Sequence, residues 1–165
     1  MHESPGDIDR LAALLDRSYE DAGDHLRAII TPERRIDAAD LVGRLAGMRL
    51  LALATVTADG RPLVSPVDGL FYRGRFWFGT ARTALRLRHI AERPAVSATH
   101  TEGEQLVVTV HGTARVVDGP DRSGFDDYAV EVYGQPWREW GAPAPYAVIE
   151  AERMFAGSFD DLVTR

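Results

Sequence analysis

The chain has 165 residues, with 25 acidic and 19 basic side chains, a formal net charge of −6 and no cysteine. This length predicts one globular domain with its own core. The lack of cysteine excludes disulfides, a thiolate nucleophile and a cysteine-ligated zinc site. The acidic balance argues against a general nucleic-acid-binding protein, whose footprint is basic.

The charge is unevenly distributed along the chain. Residues 61–93 contain seven arginines and two acids, Asp68 and Glu92, so this segment carries a local charge of +5 within an acidic chain. All the basic side chains are arginines, and a guanidinium can hold an oxyanion with two parallel hydrogen bonds. This segment is therefore a candidate site for an anionic small molecule.

The first part of the chain has a helical pattern. Apolar residues between Ile8 and Ile30 recur at steps of three and four, which predicts one amphipathic helix. A helix-start pattern at residues 31–33 predicts a further short helix through Leu41, Leu45 and Met48. No targeting signal and no apolar run of about 18 residues is found. We therefore expect a cytoplasmic protein that does not cross a membrane.

The rest of the chain has mostly strand patterns. Short apolar and β-branched runs with turn residues between them predict strands at residues 50–57, 62–72, 75–80, 95–101, 105–117, 146–150 and 153–159. Pro66 implies an edge or a bulge, and Gly112 a bulge. Helices are expected at residues 81–92 and from about residue 120 to Tyr133. The predicted fold is mainly β with peripheral helices, in which a strand meander closes into a barrel.

The common catalytic signatures are absent from this sequence. It contains no nucleophile elbow, no phosphate-binding glycine loop and no paired metal ligands on a helix. His100 and His111 lie on adjacent predicted strands and could meet, but we expect each to be hydrogen-bonded on the barrel wall. We therefore name no catalytic residue and no metal ligand.

One short segment has the features of a phosphate site. A predicted strand ends at Thr80, and a predicted helix follows with Arg82 and Arg86 one turn apart, so both are expected on one helical face. A helix N-terminus, a threonine hydroxyl and two guanidinium groups could together bind a phosphate. Arg88 is expected on a different face of this helix.

Several segments also carry a resemblance to a known family, namely residues 53–62, 65–67, 76–80, 87–90, 94–96 and 152–156. In this order and spacing they resemble the pyridoxamine 5′-phosphate oxidase-like superfamily, whose members are flavin- and deazaflavin-binding split β-barrels. The resemblance covers roughly residues 41–159. We divide the chain accordingly into an N-terminal helical extension, residues 1–40, and a split-barrel domain, residues 41–165.

The resemblance implies a homodimer that binds FMN, or the deazaflavin coenzyme F-420, in a groove between its subunits. It assigns the cofactor phosphate to Thr80, Arg82, Thr83 and Arg86, and it places Ser65, Pro66 and Val67 beside the flavin ring. An aromatic side chain of a late loop, Trp137, is a further candidate for the partner's cofactor groove.

Two departures from the family pattern limit what the resemblance implies. The usual serine and lysine of the helix start are replaced by Ala84 and Arg86. The arginine and lysine that flank the strand near residues 64–69 in true pyridoxamine phosphate oxidases are absent, so the resemblance does not extend to vitamin B6 as substrate.

The first functional hypothesis is an FMN-dependent oxidoreductase that acts on a small molecule. The alternatives are a reductase that uses coenzyme F-420 in the same groove, a haem-binding relative with His100 or His111 as ligand, and a cofactor-binding dimer without turnover.

Overall fold

The computed structural model describes residues 2–117, 123–135 and 145–160. Five α-helices lie in this part of the chain, at Pro5–Glu20 (α1), Asp24–Ile29 (α2), Ala38–Arg44 (α3), Leu85–Glu92 (α4) and Ser123–Tyr133 (α5). The strands are Met48–Val56 (β1), Pro62–Tyr72 (β2), Arg75–Gly79 (β3), Ala95–Glu102 (β4), Leu106–Val117 (β5) and Tyr146–Ser158 (β6). A single 3₁₀ turn, Pro32–Arg34, connects α2 to α3.

The strands form a closed antiparallel barrel in the order β1-β2-β3-β6-β5-β4, and β4 pairs back onto β1. Closure leaves few exposed strand edges, and the helices lie outside the barrel wall. The predicted fold class, a mainly β split barrel with an N-terminal helical extension, is confirmed.

The first hairpin follows its sequence signals closely. Gly60 adopts a φ of +81° in the turn, as the Asp-Gly pair predicts. Strand β2 pairs with β1 from Pro62 to Leu70 but with β3 only from Gly69 onward. Pro66 therefore lies where β2 is an edge strand, which confirms the prediction made from its missing N–H donor.

The prediction of two terminal strands is wrong, because residues Tyr146–Ser158 form the single strand β6. His111 of β5 pairs with Arg153, whereas the next residue, Gly112, pairs with Ala151, so Glu152 forms a bulge within one continuous strand. The extra residue thus lies in β6, opposite Gly112. A Cβ atom on Gly112 would lie 2.1 Å from the Glu150 carbonyl oxygen, so only glycine permits this approach of the two strands.

The N-terminal segment forms two helices, where the sequence predicted one. Helix α1 ends at Glu20 and α2 starts after Gly23, whose extended backbone (ψ 159°) interrupts the helix although the apolar repeat continues past it. The short helix α3 ends at Arg44, so Met48 begins a strand and does not complete a helical face.

Helix α1 is attached to the barrel by hydrogen bonds as well as by apolar packing. The Ser18 hydroxyl accepts a hydrogen bond from the Met154 N–H, and the Tyr19 hydroxyl accepts one from the Ala156 N–H, each at 2.9 Å. Strand β6 pairs with β3 only as far as Val148, so these hydroxyls serve a length of strand edge that β3 does not cover. The boundary at residue 40 stays a prediction, although α1 and the barrel share one hydrophobic core.

A second cluster of apolar residues joins α5 to the outer face of β2, β3 and β6. Its centre is Phe125, whose ring stacks on Trp77 with a centroid separation of 4.4 Å. None of the helices in the described ranges is both long enough and apolar enough to span a membrane.

Candidate functional site

Three elements bring the main polar cluster together: β2 supplies Ser65, the end of β3 supplies Thr80, and α4 supplies Arg86. The Arg86 guanidinium donates one hydrogen bond to the Ser65 hydroxyl oxygen at 3.2 Å and another to the Thr80 hydroxyl oxygen at 3.3 Å. Thr80 is buried, and its N–H donates to the Pro145 carbonyl, which fixes the end of β3 beside β6. We call Arg86, Ser65 and Thr80 the Arg86 cluster.

The start of α4 differs from the sequence prediction. Residues 81–84 form a single turn closed by the Ala84 N–H to Ala81 carbonyl hydrogen bond, and α4 begins only at Leu85 because Ala84 is extended (ψ 133°). Arg82 therefore precedes the helix, and the predicted common helical face with Arg86 is wrong. Arg82 and Thr83 are exposed in this turn, and their cofactor role stays a prediction.

The Arg86 cluster has an unusual electrostatic balance. Arg86 is half-buried, and no carboxylate in the described part of the chain forms an ion pair with it. Burial lowers the pKa of Arg86, because desolvation disfavours the charged guanidinium. An anion bound here would restore the interactions that this cation loses when it is removed from water.

The other residues assigned to the cofactor are placed differently. Val67 is buried in the barrel core, so its side chain cannot reach a ligand outside the wall, whereas Pro66 is exposed on the outer face of β2. Trp137 lies outside the described residues. Sequence reasoning identified Ser65 only through the family resemblance, since nothing in its own neighbourhood along the chain indicated the contact with Arg86.

The two candidate histidines do not meet. His100 faces inward, is buried, and its Nδ1 lies 3.0 Å from the Leu50 carbonyl oxygen. His111 is exposed on the outer face, and its Nδ1 lies 2.8 Å from the Ser97 hydroxyl. Each is thus hydrogen-bonded on the barrel wall as predicted, and the described ranges contain no cluster of three potential metal ligands.

An apolar surface lies on the outer face of β1 and β2, close to Ser65 in the strand. Its most exposed members are Val64, at 61% exposure, and Leu50, at 58%, and Met48 is also exposed. Ala52 pairs with Pro66 between them, and both are exposed. We call this surface, formed by Met48, Leu50, Ala52, Val64 and Pro66, the β1–β2 apolar face. Because its members are adjacent on two paired strands, this face is a contiguous candidate interface and not a set of scattered surface residues.

Solved structures with a similar fold include proteins of several descriptions. A conserved hypothetical protein from Mycobacterium tuberculosis aligns with a TM-score of 0.69 and 18% identity over 81% of this chain and 92% of that one. The haem storage protein HutZ from Vibrio cholerae aligns with a TM-score of 0.62 and 20% identity, over 79% and 96% of the two chains. An F-420 reductase aligns with a TM-score of 0.54 and 21% identity, over 67% and 91%.

A search of curated protein sequences finds no significant match. At these identities the structural neighbours establish the fold alone. The family model described as pyridoxamine 5′-phosphate oxidase matches residues 39–154, which is most of the chain and includes the whole Arg86 cluster. This match confirms the resemblance recognised in the sequence, and the chain belongs to the pyridoxamine 5′-phosphate oxidase family.

Proposed function

We propose that this protein is a homodimeric FMN-dependent oxidoreductase whose Arg86 cluster binds the cofactor phosphate. One observation carries the proposal: Arg86 is half-buried against two hydroxyl groups and forms no ion pair with a described carboxylate. A cation that is held in a fixed position without a protein anion is suited to a ligand anion.

The hydrogen-bond directions in the cluster fit a phosphate group. Arg86 donates to the oxygen atoms of Ser65 and Thr80, and among the described residues neither hydroxyl donates its own proton to a protein acceptor. Both hydroxyl protons can therefore be directed at a bound oxyanion, together with the remaining N–H groups of the guanidinium. The cluster offers donors from three elements and no competing acceptor charge.

When bound, FMN would supply the hydride-transfer chemistry through its flavin ring. The protein's own residues would hold the phosphate, fix the orientation of the ring and limit the access of water. No side chain of the cluster is a general acid or base, so the chemistry depends on the cofactor and on a small-molecule substrate that reaches the ring.

The β1–β2 apolar face supports the dimer part of the proposal. Val64 and Leu50 are large, apolar and more than half exposed. A second copy of the chain packed on this face would bury these side chains. Val64→Asp should then shift the protein from two chains to one in light scattering.

Coenzyme F-420 in the same site is the second candidate. It also carries a phosphate, and one structural neighbour is an F-420 reductase. Parallel titrations with the two cofactors separate the candidates, because we expect tight binding of FMN and weak binding of F-420. If F-420 bound more tightly than FMN, F-420 would be the cofactor, and the proposed role of Arg86 would be unchanged.

A haem-binding role is the third candidate, since one neighbour is a haem storage protein. His111, with its exposed ring, is the better placed of the two histidines, because His100 Nε2 is buried. Haem binding would give a Soret band that is lost in His111→Ala. We expect no such band.

The decisive experiment compares FMN with riboflavin, which lacks the phosphate. Arg86→Ala should weaken FMN binding about 10- to 100-fold, as expected for the loss of charged hydrogen bonds, and should change riboflavin binding little. Arg88→Ala, on the same helix but exposed, is the matched control and should leave both affinities unchanged.

Equal losses for FMN and riboflavin would contradict the phosphate role, and the absence of any flavin binding would contradict the proposal as a whole. Turnover is tested separately, by anaerobic reduction of the bound flavin with NADH or NADPH and reoxidation by acceptors. A bound flavin that neither accepts nor releases electrons would identify a binding dimer without enzymatic activity.

A further inference from the structure

A second group of arginines lies at the opposite end of β3 from Thr80, in a groove between α1 and the barrel. The groove has a volume of about 530 Å³ and is bordered by α1, by the turn between β2 and β3, and by the middle of β6. Its charged lining consists of four arginines and two carboxylates, namely Arg10, Arg17, Arg73, Arg75, Asp7 and Glu150. We call this site the α1 groove.

Both carboxylates of the α1 groove are already engaged. Asp7 accepts hydrogen bonds from the Ser4 backbone and hydroxyl at 2.8 and 2.7 Å, and it pairs with Arg10. Glu150 pairs with Arg75 at 3.0 Å and with Arg115 at 3.1 Å. The acids of the groove are therefore already occupied by Arg10, Arg75 and Arg115.

The guanidinium groups of two arginines of the groove form no ion pair, although the charge of Arg73 helps to lower the pKa of Asp7 and its backbone N–H donates to the Glu3 carboxylate at 3.0 Å. Neither Arg17 nor Arg73 forms an ion pair with any carboxylate in the described ranges, and both are exposed. The Arg73 guanidinium instead lies over the Tyr72 ring, 5.1 Å from its centre. The lining of the groove thus carries an excess of two positive charges, in a concave site of the size that binds small molecules.

The backbone at Arg73 gives an independent reason to regard its side chain as functional. Arg73 has a φ of +51°, and it is the one non-glycine residue with positive φ among the described residues. Asparagine or glycine would adopt this left-handed turn position more easily. An arginine at a position unfavourable to its backbone indicates that its side chain contributes something else.

We propose that the α1 groove binds a small polyanion that carries two or more phosphate or carboxylate groups, with Arg17 and Arg73 as the principal ligands. Guanidinium groups bind both oxyanions with paired hydrogen bonds. Arg17 lies on α1 and Arg73 on the β2–β3 turn, so one ligand that reaches both would link the N-terminal helix to the barrel.

The test uses inorganic pyrophosphate as a phosphate probe and citrate as a carboxylate probe, in calorimetric titrations of the full chain. At least one probe should bind the wild-type protein, and the tighter of the two identifies the chemical class. In an Arg86→Ala background, in which pyrophosphate cannot use the proposed cofactor phosphate site, Arg17→Gln and Arg73→Asn should each weaken that binding about tenfold, and the two changes together should abolish it. Asparagine suits the left-handed turn and glutamine suits an exposed helix position, so both variants should fold.

Two controls separate this site from the cofactor site and from general screening. Arg86→Ala should retain the binding, because Arg86 does not line the groove. Sodium chloride at matched ionic strength should not give the binding signal of pyrophosphate or citrate. The proposal fails if neither probe binds, if the double variant binds as the wild type does, or if Arg86→Ala removes the binding.

Discussion

The two ends of strand β3 place arginines in opposite electrostatic settings. At its start, Arg75 donates to the Glu150 carboxylate at 3.0 Å, and Arg115 shares the same acid at 3.1 Å. Just beyond its other end, the side-chain hydrogen bonds of Arg86 within the described residues go to the hydroxyls of Ser65 and Thr80. The first arrangement is an ion-pair network on the barrel wall, whereas the second leaves a half-buried cation without a carboxylate partner among the described residues. The surroundings of an arginine, more than its presence, therefore indicate its role.

The largest expected effect comes from disturbing the strand geometry that holds Glu150 in place. In Gly112→Ala the new Cβ would lie 2.1 Å from the Glu150 carbonyl oxygen, so β5 and β6 must separate. We expect a loss of about 3–5 kcal/mol in the free energy of unfolding, as for other severe backbone clashes. Urea denaturation measures this loss.

Gly43→Ala is the matched control for that variant. Gly43 lies in α3 with no atom within 4 Å of an added Cβ. Because alanine favours a helix more than glycine does, this change should stabilise the protein by about 0.5–1 kcal/mol. If the two alanine variants changed the free energy of unfolding alike, the close approach of the strands at Gly112 would not be what constrains β5 and β6.

At the other end of β3, the hydroxyls of the Arg86 cluster are the next target. Ser65→Ala and Thr80→Val should each raise the Kd for FMN about 5- to 10-fold, which is the effect of one lost hydrogen bond. Riboflavin binding should not change. Ser97→Ala removes a hydroxyl from the outer wall, where it contacts His111, and should leave FMN binding unaltered. A loss in Ser97→Ala as large as in the other two would indicate a general change of the barrel.

The sequence could predict the features that depend on residues near one another in the chain, but not the contacts between distant residues. The positions of the first five strands, the turn at Gly60 and the edge position of Pro66 depend on local preferences, and these agree with the structure to within two residues. The sequence could indicate Thr80 and Arg86 as candidate phosphate ligands because they are near one another in the chain. Ser65 lies 21 residues from Arg86, and only the family resemblance indicated it.

The errors have physical causes as well. The sequence started α4 at residue 81, but the extended conformation of Ala84 delays its start to Leu85. The sequence split β6 into two strands, because Glu152 interrupts the pattern of burial without interrupting the strand. The Arg75–Glu150 pair joins residues 75 positions apart, and no local sequence pattern predicts such a contact.

Removing the acid from the ion-pair network of Arg75, Arg115 and Glu150 should make it resemble the Arg86 cluster. Glu150→Gln leaves Arg75 and Arg115 without their common carboxylate, and because all three side chains are partly exposed, we expect a loss of only about 0.5–1 kcal/mol. That loss should decrease in 1 M salt, since screening weakens exposed pairs. FMN affinity should stay constant, whereas pyrophosphate should bind the α1 groove more tightly. A fall in FMN affinity would show that the two ends of β3 are coupled.

The smallest effect concerns the second acid of the α1 groove. Burial alone would raise the pKa of Asp7, but the hydrogen bonds from Ser4 and the nearby charges of Arg10 and Arg73 lower it below its usual value. A carboxyl whose pKa is lower in the folded state stabilises the protein above its unfolded pKa of about 4, and this contribution is lost as the pH falls through the folded pKa. Asp7→Asn should therefore cost about 0.5 kcal/mol at pH 7 through the weakened helix cap, and wild type and variant should converge in acid. Urea denaturation as a function of pH measures the difference, and a gap that persists below the folded pKa would show that the carboxylate charge is not its source.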